Sequence, residues 1–252
     1  MYAEERRKAL VDYVMTEGRL VVTLAADAFK VTPETIRRDL EVLDRQGILQ
    51  RVHGGAVLAE SLRLGDHTVA TRDNVAAAEK DRIGAAAVGQ LPEPGGCIIL
   101  DAGTTVSRLA DRLNADYTVV TNSLPAAAAV SAARPNSRVE LIGGRVRGIT
   151  QAVVGGAAQL ATIRADVAFL GTNGVSRGHG LSTPDFDEAA MKRQMVRSAN
   201  RVVVLADSRK LGAETTTSFA ELTDVDVLIT DSGVTDQQHT RLLETGIEVV
   251  IA

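Results

Sequence analysis

Several things are scarce or missing in this chain of 252 residues. It has a single cysteine, Cys97, which excludes a disulfide framework and a cysteine-rich zinc site. Cys97 lies in the apolar run CIIL, where a free thiol is usually a buried, inert group rather than a nucleophile. Positive charge is not in excess: 28 Lys and Arg face 32 Asp and Glu, a net charge of −4. The chain as a whole therefore does not attract nucleic acid, and any DNA binding has to come from a local patch. No apolar run approaches the roughly 20 residues that span a bilayer. The N-terminal MYAEERRKALVDYV is charged and amphipathic, without the apolar centre of a signal peptide, so a cytoplasmic location is expected. There is no internal repeat and no low-complexity tail.

What remains, 45% hydrophobic and 24% charged, is ordinary globular composition. The length suits one large or two ordinary domains with a proper core. Two regions differ in texture. Residues 1–57 read as three helices and a short hairpin. Glu4 to Glu17 carries Ala9, Leu10, Tyr13 and Val14 at helical spacing and stops at Gly18. Val22 to Phe29 carries Leu24, Ala25, Ala28 and Phe29 on one face, and Lys30-Val31 is a turn. Thr32 then suits a helix N-cap, Pro33 the first helical position and Glu34 the positive end of the dipole. This third helix buries Ile36, Leu40 and Leu43 and stops at Gly47. ILQRVHGGAV follows as two short strands around Gly54-Gly55. Residues 58–78 are polar, weakly patterned and linker-like.

Residues 79–252 alternate strands with helices. The expected strands are CIILD (97–101), YTVVT (117–121), VELIG (139–143), VAFLG (167–171), RVVVLAD (201–207), VDVLIT (225–230) and IEVVIA (247–252). Near-continuous Val/Ile/Leu strands separated by helices imply a mostly parallel, doubly wound sheet covered on both faces.

In VTPETIRRDLEVLDRQGILQRVHGGA (31–56), a short helix, a tight turn and a longer helix match the helix-turn-helix. Its second helix enters the major groove by the N-terminal end. With Ile36, Leu40 and Leu43 underneath, Thr35, Arg37 and Arg38 lie off the buried face, and arginine can grip guanine or phosphate. Arg51 and His53 would sit on a wing. A plainer reading is a solvated helix in which Arg38 pairs with Asp39 and Glu41. Residues 1–60 hold nine Lys and Arg against ten Asp and Glu. Only the gathering of Arg37, Arg38, Arg51 and His53 in the helix-wing portion favours DNA.

Beyond residue 79, DAGTTVSRLA (101–110) follows an apolar strand directly. Such a junction exposes backbone N–H groups and a helix dipole suited to a phosphate. It is neither the dinucleotide glycine pattern nor a Walker motif, so no nucleotide cofactor is expected, and no metal. Similar polar or glycine-rich junctions recur at 121–123, 143–145, 171–174 and 206–208. In a parallel sheet these share one rim. In PDFDEAAMKRQM (184–195), Glu188 and Lys192 are four apart on one helix face. They form either a surface ion pair or, more sharply, a carboxylate for sugar hydroxyls and an ammonium for a phosphate.

VTPETIRRDL followed by GILQRVHGGA resembles the N-terminal winged helix of DeoR-family bacterial transcriptional regulators. D-x-G-T-T, T-N, G-G, the segment VAFLG, E-x-x-x-K and ADSRK make residues 79–252 similar to the sugar-phosphate-sensing domain of that family. Its fold is like that of ribose-5-phosphate isomerase. The resemblance places Thr32, Glu34, Thr35, Arg37 and Arg38 on the recognition helix, and Arg51, His53 and Gly54 on the wing. It implies an effector site built from Asp101, Gly103, Thr104, Thr105, Asn122, Ser123, Gly144, Arg145 and Arg147. Asn173, Gly174, Asp185, Glu188, Lys192, Asp207 and Lys210 complete that set. GTNGVSRGHGLSTPD and GGRVRGITQAVVG look closest to regulators of fructose or related sugar operons. Arg209 in ADSRK and Ser123 in TNSLP depart from the commoner family pattern. The implied function is a repressor of a sugar catabolic operon, released by a phosphorylated sugar and acting as a homodimer or homotetramer on operator DNA. Activation instead of repression stays open. A sugar-phosphate isomerase or deaminase using Asp101, Asp187 or Glu188 as base is chemically conceivable, but an isomerase gains nothing from residues 1–57, and no catalytic residue is expected.

Overall fold

The computed structural model describes residues 3–17, 19–45, 48–52, 54–58 and 69–252. They divide into two compact units, Met1–Val75 and Ala76–Ala252. Gly18 and Gly47, the expected helix stops, lie outside the described residues, as do His53 at the expected wing tip and His67.

The first unit runs α1 (Ala3–Glu17), β1 (Arg19–Val21), α2 (Val22–Phe29), α3 (Pro33–Arg45), β2 (Leu49–Val52), β3 (Gly55–Leu58) and α4 (Val69–Asn74). The last of these is helix within the stretch expected to be a linker. Strand β3 is central, antiparallel to both β1 and β2. The α2–α3 turn is made by Lys30 in the left-handed region, φ 52°. Thr32 then caps α3, its Oγ1 accepting the Thr35 N–H at 3.2 Å. Ile36, Leu40 and Leu43 are buried against Leu10, Val14, Leu20 and Leu49, as the periodicity requires. The buried face of α2 is turned by about one residue, 100° on a helix, from the expected one. Val22, Ala25 and Ala26 are buried, while Leu24 is 59% exposed. Small side chains let this two-turn helix lie close to α3, and a leucine there would hold the two apart. Asp39 also differs from expectation. It is not a solvated partner of Arg38 but is buried, accepting a 2.6 Å bond from Arg6 Nε on α1.

The second unit begins with α5 (Ala77–Ala87), β4 (Cys97–Leu100), α6 (Thr104–Ala110), β5 (Thr118–Thr121), α7 (Leu124–Ala133) and β6 (Arg138–Leu141). It continues with β7 (Arg145–Arg147), β8 (Ala152–Val154), α8 (Ala157–Leu160), β9 (Ala165–Gly171), β10 (Gly174–Ser176), β11 (Gly180–Thr183) and α9 (Phe186–Arg197). It ends with β12 (Ala199–Leu205), β13 (Thr217–Ala220), β14 (Val227–Thr230), α10 (Asp236–Leu243) and β15 (Glu248–Ile251). The seven strands expected from the sequence form one seven-stranded sheet in the order β15-β14-β12-β9-β4-β5-β6. Every neighbouring pair in it is parallel. The fold is α/β, a winged helix-turn-helix plus a doubly wound parallel sheet.

Alternate residues of each strand feed opposite cores, as the pleat requires. Ile98, Leu100, Val167, Phe169, Val203 and Leu205 pack beneath Ile83 of α5, Leu109 of α6 and Val130 of α7. Ile99, Ala168, Leu170, Val202 and Val204 pack against Met191 and Met195 of α9 and Leu242 of α10. Chain order runs outward from β4 to β6 on one side and from β9 to β15 on the other. The topological switch point therefore lies between β4 and β9, and in such sheets ligands bind in the crevice beyond the carboxyl ends there. Two small antiparallel additions, β7–β8 and β10–β11–β13, stand beside the main sheet. Among the described residues, no helix is long and apolar enough to cross a membrane.

Candidate functional site

On the first unit, Thr32, Glu34, Arg37 and Arg38 are exposed along the first turns of α3, and Thr35 is half-buried. Thr32 and Thr35 share a 2.9 Å hydroxyl contact. Glu34 Oε2 accepts from Arg37 Nη1 at 3.2 Å. Arg51 is exposed on β2, its backbone N–H bound to Asp44 at 3.2 Å. Gly54 follows at φ +76°, where a side chain would be strained.

On the second unit, the switch point holds a charged pair. Asp101, directly after β4, and Lys192, on α9, are 1% and 4% exposed, and Lys192 Nζ donates to Asp101 Oδ2. The same ammonium donates to the Gly171 carbonyl at 2.9 Å, and the Gly171 N–H donates to Asp101 Oδ2 at 3.0 Å. The pair thus spans the end of β9 as well. Phe219 lies under the ammonium, 5.5 Å from ring centre to Nζ. Burial pushes the Asp101 carboxyl above its ordinary pKa, against the pull of Lys192 and the Gly171 N–H.

Glu188, one turn earlier on α9, is buried as well, so Glu188 and Lys192 are not a surface ion pair. Glu188 Oε1 accepts from Thr150 Oγ1 at 2.8 Å and from Arg147 Nη1. Burial alone would raise the Glu188 pKa, but Lys192, Thr150 and Arg147 together hold it below the ordinary carboxylate value. Asp185 caps α9, accepting the Glu188 N–H at 2.9 Å, and also meets Arg147 at 3.2 Å. Arg145 reaches Asp187 at 2.7 Å on the exposed rim.

Arg145, Arg147 and Thr150 all belong to the β7–β8 hairpin. Its other side is fastened to the loop after β5. Val153 N–H donates to the Asn122 carbonyl at 2.7 Å, Asn122 Nδ2 to the Val153 carbonyl at 3.2 Å, and Leu124 N–H to the Gln151 carbonyl at 3.3 Å. Asn122 Oδ1 in turn accepts the Ala102 N–H at 2.9 Å. The hairpin is therefore a strap from the β5 loop to α9. Gly144 at its base is obligatory, because it sits at φ +151° with a Cβ position 2.2 Å from the Val154 carbonyl oxygen. Gln151 at its turn takes φ +53°.

The other expected site residues are placed as follows. Gly103, Thr104 and Thr105 form the loop and first turn of α6, with both threonines buried. The Ser123 hydroxyl accepts the Ala126 N–H at 3.2 Å and so caps α7. Asn173 takes a 3.3 Å bond from Thr183. Gly174 lets the Ala213 carbonyl come within 2.4 Å of its Cβ position. Asp207 and Lys210 lie at the next strand end, after β12. Asp207 is buried and accepts from Arg209 Nε at 2.8 Å. Burial would raise its pKa, but Lys210, Arg209 and Lys80 outweigh that and lower it. Arg145 and Ser123 are thus engaged at the rim and in a helix cap, whereas Lys192 pairs with Asp101, Arg147 joins Glu188 to Asp185, and Asn122 fastens the strap that carries Arg147.

Three contributors escaped sequence reasoning: Thr150, Lys80 and the Arg6–Asp39 pair. Only Lys80 carried a signal, a lone lysine opening an alanine-rich amphipathic helix. Cys97 is half-buried, its thiol pKa raised by burial and by Asp166.

A winged helix-turn-helix followed by a doubly wound sheet with a polar network at its switch point defines a class, the two-unit DNA-binding transcription regulators. The DeoR-like helix-turn-helix domain matches residues 6–62, and the DeoR C terminal sensor domain matches residues 75–232. The HTH-type transcriptional regulator GlpR of Haloferax volcanii is 36% identical over 255 residues, covering 99% of this chain and 98% of its own. In Bacillus subtilis, the uncharacterized HTH-type transcriptional regulator FruR is 35% identical over 241 residues, 92% of each chain. The HTH-type transcriptional repressor GlcR of the same species is 32% identical over 255 residues, 100% of this chain and 97% of its own. A solved ribose 5-phosphate isomerase from Methanocaldococcus jannaschii is similar over 52% of this chain and 53% of its own, at 19% identity and a TM-score of 0.38. The chain belongs to the DeoR family of transcriptional regulators, and is a regulator rather than an enzyme.

Proposed function

We propose that this regulator represses a sugar catabolic operon and leaves its operator when a phosphorylated sugar, a fructose phosphate in the first instance, occupies the switch-point crevice. The observation that carries this reading is the two buried pairs of α9, Lys192 with Asp101 and Glu188 with Arg147. Cations there suit a phosphoryl group, and fixed carboxylates suit sugar hydroxyls, both at the place where open α/β sheets bind ligands. In this reading Lys192, Arg145 and Arg147 serve the phosphate, while Glu188, Asp185, Asp101 and Asn122 serve the hydroxyls. Gly103, Thr104, Thr105, Ser123, Gly144, Asn173, Gly174, Asp207 and Lys210 complete the lining. The choice of fructose rests on the resemblance of GTNGVSRGHGLSTPD and GGRVRGITQAVVG to that subgroup. Repression is supported by the similarity to the transcriptional repressor GlcR.

Residues 1–57 read DNA, 58–78 connect and 79–252 sense. Thr32, Glu34, Thr35, Arg37 and Arg38 meet the major groove, and Arg51, His53 and Gly54 the flanking backbone. Two copies bind paired half-sites, as helix-turn-helix proteins do, in a homodimer or homotetramer in the cytoplasm. Release follows from linkage, because an effector that favours the DNA-incompetent state depopulates the operator complex by its differential affinity.

The test is an anisotropy titration of the full chain on duplexes from upstream of the neighbouring genes, with and without a panel of sugar phosphates. Tight specific binding weakened by a fructose phosphate is expected. Specific binding indifferent to every phosphorylated sugar would remove the effector assignment.

A further inference from the structure

Arg6 and Asp39 are joined by a 2.6 Å ion pair whose side chains are only 11% and 8% exposed. The pair ties α1 to α3, elements not adjacent in the chain. It adjoins the face assigned to DNA, since Asp39 follows Arg37-Arg38 and lies one helical turn beyond Thr35. Being buried, Asp39 cannot itself address a base.

The rest of α3 is held by Ile36, Leu40 and Leu43. Apolar contact is strong but non-directional, so it fixes the distance of α3 from the core better than its roll about its own axis. A side chain that reads a base has to be held within about 0.5 Å and 10–20°. An arginine tip roughly 8–10 Å from the helix axis moves about 2 Å for a 15° roll. A charge-assisted bond from a planar guanidinium is directional. For stability alone a buried pair is a poor choice, because apolar residues of like volume are often as good or better there.

We propose that Arg6 and Asp39 are positioning residues. Their ion pair sets the roll of the recognition helix, and with it the sequence discrimination of Arg37 and Arg38, without either residue touching DNA. The proposal rests on the DNA-binding role of the first unit and not on the effector assignment.

The test uses the full chain, a duplex that the wild type selects from a random-sequence pool, and a scrambled duplex of the same length. In the double variant Arg6→Met/Asp39→Leu, the melting temperature should stay level or rise. The salt slope of binding should be unchanged, because no phosphate contact is lost. The affinity ratio between selected and scrambled duplex should fall by about tenfold or more, the scale of one misread base pair. Should the double variant not fold, Arg6→Lys decides, since it keeps the charge and loses the planar fork. Folded Arg6→Lys should show the same fall in ratio with the salt slope intact. A folded variant of either kind with a wild-type ratio overturns the proposal. So does a uniform loss of affinity with no change in ratio. Failure of the wild type to select any sequence would remove the DNA-reading role itself, and the proposal with it.

Discussion

Lys192 and Asp101 are 91 residues apart in sequence yet share a hydrogen bond at the point where β4 and β9 part. The two connections leave that point in opposite directions, so it is the one place on the rim where two strand ends are uncrowded by a crossover. A buried ion pair there is stable only as a pair.

Lys192→Met should therefore cost the second unit about 3–5 kcal/mol, because it leaves a buried carboxylate uncompensated. The loss has a definite pH sign. The Asp101 carboxyl is already raised by burial, and removing Lys192 raises it further. A carboxyl whose folded pKa exceeds its unfolded one binds more protons when folded. Stability is then greatest below the unfolded value and falls as pH rises through the folded one. Denaturant titrations across mildly acidic to neutral pH should show the Lys192→Met deficit widening with pH. A pH-independent deficit would contradict the pairing.

Glu188 and Asp207 have the opposite sign. Both folded pKa values are depressed, so each contributes stability present above its unfolded pKa and lost as pH falls through the folded one. Acid unfolding of the second unit should begin near the ordinary carboxylate range and continue below it. Glu188→Gln should flatten the upper part of that profile, and an unchanged profile would show that Glu188 does not carry it.

The β7–β8 strap gives a separate expectation. Thr150→Val deletes one of two donors to Glu188 Oε1 and should cost about 1.5–3 kcal/mol, the usual range for a lost hydrogen bond to a charged group. Thr150→Ser should restore it. Amide exchange at residues 145–154 should accelerate in Thr150→Val while β9 and β12 stay protected. Uniform acceleration would mean global destabilisation instead of a loosened strap.

On α3, Arg37 is oriented by Glu34, whereas Arg38 forms no ion pair among those identified for the described residues. A guanidinium already aimed by a carboxylate suits bidentate base reading, and one without such a partner suits a phosphate. Arg37→Ala should cost about 1–3 kcal/mol on the selected duplex and relax its specificity. Arg38→Ala should weaken all sequences alike and lower the salt slope by about one. The reverse pattern would exchange the two roles, and unchanged binding in both would refute the docking face.

The sequence alone determined the strands of the main sheet and the recognition helix. Seven strands were legible because five of them are β-branched and aliphatic runs buried in the middle of the sheet, and the edge strands β6 and β15, though more exposed, still carry Val, Leu and Ile. The recognition helix was legible because Ile36, Leu40 and Leu43 recur at the helical period. Both signals are local. The short strands β1, β7, β8, β10, β11 and β13 were missed, since three or four residues carry too little periodicity to register.

The partners of the charges were decided only by the tertiary structure. Glu188 and Lys192 sit four apart on one helix face, and sequence spacing would pair them. Instead Glu188 takes Arg147 and Thr150 from the strap, and Lys192 takes Asp101 from β4. Asp39, placed beside Arg38 by the sequence, takes Arg6. The reason is physical. A charge removed from water must find a counter-charge among whatever groups the packed elements bring to it, and strand order and helix docking fix those neighbours, not proximity along the chain.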